Sequence, residues 1–162
     1  MSISSSTRKA GPYSCNGSTV AFPFAFKVFT TADVRVVLTD ANAVESDLVL
    51  GTNYTVALNT DQDANPGGTV TTVTAYASGN LITLTSRLEN LQPVVLTNMG
   101  GFYPKVISNA LDRLTILVQQ VFEQVGRAVK VPISSGRSPD QLIADLYAVE
   151  TNAGNSATAA AN

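Results

Sequence analysis

The organisation of this chain is decided by the stretch NALDRLTILVQQVFEQVGRAV at residues 109–129. Its apolar residues recur at alternating steps of four and three, which is the pattern of an amphipathic helix with one apolar seam. In a heptad frame the seam occupies positions a and d for three heptads without a slip. The seam residues are Ile107 (d), Leu111 (a), Leu114 (d), Val118 (a), Val121 (d), Val125 (a) and Ala128 (d).

Two interpretations of the seam are open. It can pack on the core of its own domain, which Ile116, Leu117 and Phe122 favour because they widen the apolar surface beyond positions a and d. It can instead join copies of the chain, and β-branched residues at both a and d shift the preference from dimers to higher oligomers. The unbroken frame favours the second interpretation. The polar residues expected at outer positions of this helix are Asp112, Arg113, Gln119, Gln120 and Glu123.

A β-rich domain is predicted before this helix, over residues 19–101. Residues 20–29 alternate apolar and small or polar side chains, which predicts a strand with a buried aromatic face, and Pro23 places that strand at a sheet edge or a bulge. Further strands are predicted at 33–40, 47–50, 53–58, 69–76, 81–86 and 93–98, with a hairpin loop at 77–80. The predicted core of this antiparallel, sandwich-like domain is Val20, Phe22, Phe24, Phe26, Val28, Val34, Val36, Leu38 and Tyr54.

The remaining segments have simpler patterns. Residues 1–18 are rich in Ser and predict a flexible arm. The helix region spans 102–130, and Pro132 and Gly136 mark a linker at 131–137. Ser138 opens a second helix with a capping box, and Leu142, Leu146 and Val149 again step by four and three. The small residues at the end of 138–162 suggest the front part of a longer protein.

Composition excludes several classes of function. The chain has no His and one Cys, so a Ser-His-Asp triad, a Cys-His pair, a Cys/His zinc site and an intrachain disulfide cannot be built from it. Its net charge of −2 and scattered Lys and Arg do not favour nucleic acid. The N-terminus lacks the apolar region of a signal peptide, and no apolar run is long enough to insert in a membrane. We expect no enzyme activity, no catalytic residue and no cofactor.

One loop has a weak metal-binding pattern. In DQDANPGG, residues 61–68, Asp61, Asp63 and Asn65 take alternate positions as in a calcium loop. Pro66 stands where such a loop needs its Gly, and Thr72 stands where a Glu should close the site. The stretch therefore predicts a solvated hairpin loop and no metal.

Four segments in order resemble a known family. They are FPFAFKVFTTADVRVVLTD (22–40), TNYTVAL (52–58), GNLITLTSRLENLQPVVL (79–96) and GGFYPKVISNALDRLTILVQQVFEQVGRAV (100–129). Together they resemble the N-terminal tail-attachment domain of the tail fibre proteins of short-tailed bacteriophages, over about residues 15–130. The segment 58–80 is longer than in that family. The small-residue tail is similar to the Ala- and Ser-rich start of a fibre shaft.

The resemblance implies the function that we expect. It implies a structural protein of the virion tail, a homotrimer bound to the adaptor and nozzle proteins, whose distal parts bind the host receptor. The seam helix would trimerise and the second helix would lead into the shaft. The implied trimer interface is Ile107, Leu111, Leu114, Val118, Val121, Val125, Leu142, Leu146 and Val149. Two alternatives are a carbohydrate-binding surface adhesin and the N-terminal part of a tailspike depolymerase.

Overall fold

The computed structural model describes residues 3, 5–95, 101, 103–132 and 134–160, with side chains as far as residue 152. It divides into two compact units, one ending at Glu123 and one beginning at Gln124. Among the residues described, the first unit contains seven strands and most of the first helix. The second contains the end of that helix and the second helix. The predicted class, mainly β with C-terminal helices, is confirmed.

Two antiparallel sheets form the β-rich part of the first unit. A four-stranded sheet has the order β1-β7-β3-β4, and a three-stranded sheet has the order β2-β6-β5. The strands are β1 (Lys9–Ser14), β2 (Ala21–Phe24), β3 (Val34–Thr39), β4 (Glu45–Asp47), β5 (Tyr54–Leu58), β6 (Gly68–Thr72) and β7 (Leu81–Ser86). A short 3-10 helix, Thr31–Asp33, precedes β3.

One hydrophobic core joins residues of both sheets. The alternation in β2 and the residues after it turns one set of side chains inward, and the rings of Phe24 and Phe26 lie 4.8 Å apart. Tyr54 donates a hydrogen bond from its hydroxyl to the carbonyl of Val34 at 2.7 Å, which satisfies the one polar atom of this side chain. Of the predicted core residues, Phe22, Phe24, Phe26, Val28, Val34, Val36 and Tyr54 are buried, Leu38 is partly buried against them, and Val20 is half-buried.

The structure corrects several predictions about the strands. Of the strand expected at 47–50, Asp47 alone lies in a strand, as the last residue of β4. Lys9–Ser14, expected within a flexible arm, form β1 along the edge of β7. The hairpin expected at 77–80 is wrong, because β6 and β7 belong to different sheets and this loop passes between them. Residues 93–95 of the expected strand 93–98 form no strand, and 96–98 lie outside the described residues. In contrast, β2 lies at a sheet edge, as Pro23 predicts.

Two helices follow the strands. The first, α1 (Pro104–Arg127), begins at a proline within the predicted region 102–130, and the missing N–H of that proline costs nothing in a first turn. The second, α2 (Pro139–Ala160), begins with the predicted capping box. Ser138 accepts a hydrogen bond from the amide of Gln141 at 3.2 Å, and Gln141 accepts one from the amide of Ser138 at 2.8 Å. Within the part of the chain that the structure describes, neither helix is both long and apolar enough to cross a membrane.

Candidate assembly surface on the first helix

The face of α1 that packs on its own domain is largely polar. Asp112, Ile116 and Gln120 are buried, and their spacing of four places them in one row along the helix. The prediction that Asp112 and Gln120 lie at outer positions is therefore wrong. The heptad frame treats every polar residue as solvent-facing, whereas these two find buried polar partners in the β-rich part.

Asp112 meets a buried lysine. The ammonium of Lys27 lies 2.7 Å from a carboxylate oxygen of Asp112 and also binds Asp63, which in turn binds Lys105 at the start of α1. Burial opposes the charge of Lys27, but hydrogen bonds to Asp112 and Asp63 and their negative charges outweigh it and raise the pKa of Lys27 above its usual 10.5. This cluster joins α1 to the segment after β2 and to the loop between β5 and β6.

The loop with the calcium-like pattern is held by its own bonds. Asp61 accepts hydrogen bonds from the amides of Ala64 and Asp63, and these lower the pKa of its carboxyl. Asp63 accepts hydrogen bonds from two ammonium groups. The bond from Lys105 has the larger effect and the bond from Lys27 the next, and they hold the pKa of Asp63 well below 3.8. No group of three His, Cys, Asp or Glu suited to a metal is found among the described residues. The loop joins the paired strands β5 and β6, as a hairpin loop does.

Gln120 makes the second polar attachment of α1. Its side-chain oxygen accepts hydrogen bonds from the hydroxyl of Ser86 at 3.0 Å and from the amide of Leu88 at 2.8 Å. Its side-chain nitrogen donates to the carbonyl of Leu88 at 3.4 Å. These partners lie at the end of β7 and just after it, where the strand pairing stops, so Gln120 satisfies polar groups that the sheet leaves without a strand partner.

Two further contacts extend this attachment. Arg113 donates hydrogen bonds to the carbonyl oxygens of Leu91 at 3.0 Å and Glu89 at 2.6 Å. These bonds hold the segment after β7 along the side of α1. On the other side, Gln119 donates to the carbonyl of Ser5 at 3.1 Å. The helix is thus fixed along both flanks.

The predicted seam lies on the opposite side of α1. Because successive helical residues are rotated by 100°, positions 114, 118, 121 and 125 project away from the row 112, 116 and 120. The side chains of Leu111, Leu114, Val118, Val121 and Val125 are between 46% and 60% exposed, and Ile107 is half-buried. In the second unit, Leu146 and Val149 of α2 are exposed, and Leu142 is half-buried.

A groove of about 790 Å³ runs along the seam, and the seam residues Leu111, Leu114, Val118 and Val121 are part of its lining. One wall is α1 from Ala110 to Phe122, and the other is residues 90–94, the segment that Arg113 holds. Leu91 in that segment is 65% exposed. Of the described residues that line this groove, Arg113 is the one with a charged side chain. The other lining residues are apolar apart from the uncharged Asn90 and Gln92.

The heptad pattern locates the seam of α1 but not the polar row that fixes its direction. Two signals pointed to that row. One is the spacing of four between Asp112, Ile116 and Gln120; the other is Lys27, a lone charge within an apolar stretch. A charge in such a stretch needs a buried partner of opposite sign.

No family model matches the chain. Over 120 residues, 74% of its length, the chain is 35% identical to the tail spike protein of Salmonella phage epsilon15. The chain is related to a phage tail protein. The match spans 11% of the length of that relative. The similarity supports a structural protein located in the virion tail, which is the broader part of the predicted resemblance.

Proposed function

We propose that this chain is the tail-attachment part of a trimeric phage tail fibre or spike. The β-rich part contacts the adaptor and nozzle proteins of the tail, and the seam of α1 joins three copies. Distal parts of the longer protein bind the host receptor. In this proposal the described residues carry no catalytic role, and they take no cofactor, metal or nucleic acid. The observation that carries the proposal is that α1 buries a polar row on its own domain and leaves its apolar seam exposed.

The direction of the seam supports assembly. A helix that only covered its own core would turn its apolar side inward, as amphipathic helices of monomeric domains do. Here the inward row contains Asp112 and Gln120, and the outward side contains five apolar seam residues. An exposed apolar stripe of this kind marks an interaction surface. Valine at three of the four central positions, 118, 121 and 125, favours three strands or more over two.

The similarity to a much larger tail spike supports attachment. A segment that corresponds to 11% of that protein is compatible with a module that is separate from the rest of the spike. The name of the relative also favours a spike over a fibre as the longer protein. If that protein is a depolymerase, as the tailspike alternative implies, its catalytic groups belong to distal parts.

Mass photometry of the 162-residue chain tests the assembly. We expect trimers at micromolar concentration, and we expect Val118→Asp to give monomers because a carboxylate cannot be buried unpaired in an apolar interface. Val73→Asp is the matched control, since Val73 is also an exposed valine but lies just after β6, outside α1. A chain that stays monomeric across the concentration range contradicts the proposed trimer.

Attachment needs a separate measurement. Labelled chain is mixed with particles of the cognate phage that lack their own fibre or spike, and co-sedimentation is measured. Saturable binding, competed by unlabelled chain, is expected. Binding to host polysaccharide without binding to the particles would instead support the carbohydrate-binding adhesin.

A further inference from the structure

Phe122 belongs neither to the seam nor to the core. It is 71% exposed, the largest exposed fraction of any apolar side chain on α1 that the structure describes. In the heptad frame it takes position e, next to the seam at Val121. An aromatic side chain buries about 150–250 Å² when it finds a partner, so its exposure is costly unless a partner covers it.

Leu117 lies on the other flank of the seam. It takes position g, it is half-buried, and it lines the groove beside the segment 90–94. We call this segment the lip. The lip has no strand or helix of its own, and the two hydrogen bonds from Arg113 to the carbonyls of Glu89 and Leu91 hold it at the side of the helix.

Coiled-coil geometry pairs these two flanks between copies. When helices run parallel, a residue at g contacts the residue at e of the following heptad on the neighbouring helix, five positions later in the sequence. Leu117 and Phe122 are separated by five positions. Both are apolar, whereas e and g positions commonly carry Glu and Lys.

We propose that Phe122 of each copy inserts into the groove between Leu117 and the lip of the next copy. This inference rests on the proposed trimer and adds the side-chain contact that joins neighbouring copies. The contact is heterologous, with a different surface on each partner, and such contacts close into a ring when the rotation permits. Three copies related by a three-fold rotation have parallel helices, which is the arrangement that this pairing requires, and the lip makes the interface directional.

Cysteine pairing tests the contact directly. Within one helix, five residues separate Leu117 and Phe122 by about 7.5 Å along the axis, which is too far for a disulfide. The double variant Leu117→Cys/Phe122→Cys should form covalent dimers and trimers on a non-reducing gel after mild oxidation. Each single variant should remain largely monomeric on that gel. The unaltered chain is the background control, because its one thiol, Cys15, is buried.

The outcomes separate this inference from the proposed function. A covalent dimer from Phe122→Cys alone would show that the helices meet antiparallel and would overturn the inference. A trimer by mass photometry whose double variant forms no cross-link would also overturn it, while the proposed trimer stands. A chain that is monomeric throughout overturns both.

The lip is tested through Arg113. In Arg113→Ala the two carbonyl contacts are lost, and we expect the concentration for half-dissociation of the trimer to rise by about tenfold or more while the circular dichroism spectrum is kept. Leu91→Ser should act in the same direction. Arg87→Ala is the control, because Arg87 is an exposed arginine that lies 3.7 Å from Asp47, at the strands and away from the lip. Unchanged dissociation in both lip variants would contradict the role of the lip.

Discussion

The ammonium of Lys27 lies 2.7 Å from a carboxylate oxygen of Asp112, and both side chains are buried. The two residues are 85 positions apart in the chain, so this contact joins α1 to a distant segment of the β-rich part. Lys27 also lies 5.5 Å from the ring centre of Phe29, which gives the buried cation a further favourable neighbour. Together with the contacts of Gln120, the contact between Lys27 and Asp112 turns the polar row of α1 toward the strands and the seam outward.

Loss of the carboxylate of Asp112 is expected to destabilise the first unit. In Asp112→Asn the ammonium of Lys27 still pairs with Asp63 but loses Asp112, the more deeply buried of its two carboxylate partners. We expect the free energy of unfolding to fall by about 2–3 kcal/mol. Urea unfolding followed by circular dichroism measures it. Asp47→Asn removes the exposed partner of Arg35 and should cost less than about 1 kcal/mol. Equal effects of the two variants would contradict a special role of the buried pair.

The cluster formed by Lys27, Asp63 and Asp112 predicts that the free energy of unfolding depends on pH in both the acid and the alkaline range. The pKa of Asp63 is lowered in the folded state, so its stabilisation is present above pH 3.8 and is lost as the pH falls through the folded value. The pKa of Lys27 is raised, so its contribution is full below pH 10.5 and is lost as the pH rises through the folded value.

Urea midpoints across the acid range test the first of these effects. The urea midpoint of the unaltered chain should decrease as the pH is lowered below 3.8. In Asp63→Asn this decrease should be smaller, because the group that titrates is gone. In Lys27→Met the decrease of the urea midpoint above pH 10.5 should be smaller for the same reason. An acid profile that Asp63→Asn leaves unchanged would show that other carboxylates control it.

Gln120 is expected to matter although it is uncharged. In Gln120→Ala the hydroxyl of Ser86 and the amide of Leu88 lose their acceptor, and a buried donor without a partner costs about 1–3 kcal/mol. Gln124→Ala, one turn further along α1 at an exposed position, should change the unfolding free energy by less than about 0.5 kcal/mol. Equal midpoints for the two variants would show that the contacts of Gln120 contribute nothing.

The sequence predicts local patterns well and long-range pairings poorly. The alternation around Phe24 and the capping box at Ser138 depend on neighbours within a few residues, and both appear in the structure. The hairpin at 77–80 failed because turn residues show that the chain reverses, but not which strand it then joins. Likewise, the heptad frame located the seam of α1, whereas the buried position of Asp112 depends on a lysine 85 positions away.

Gly67 is predicted to resist substitution. Its φ is +108°, and a Cβ there would meet the carbonyl of Phe24 at 2.0 Å, so Gly67→Ala needs both a backbone change and a shift of β2. We expect a loss of about 2 kcal/mol or more in the free energy of unfolding. Gly51 is the control, since its φ is also positive but no atom lies within 4 Å of the place that a Cβ would take, so Gly51→Ala should cost only the backbone strain. Equal losses would show that the close approach to Phe24 is unimportant.

The two sides of α1 should respond differently to the same truncation. Ile116 is fully buried in its own domain, so Ile116→Ala should lower the free energy of unfolding by about 2–5 kcal/mol at any protein concentration. Leu114 is 59% exposed in the single chain, so Leu114→Ala should destabilise only where copies are assembled, because binding to the folded state stabilises it by mass action. Urea unfolding at two protein concentrations, well below and well above the assembly midpoint, separates the cases. If Leu114→Ala costs as much at the low concentration as at the high one, the side chain contributes to its own domain and the outward assignment of the seam is wrong.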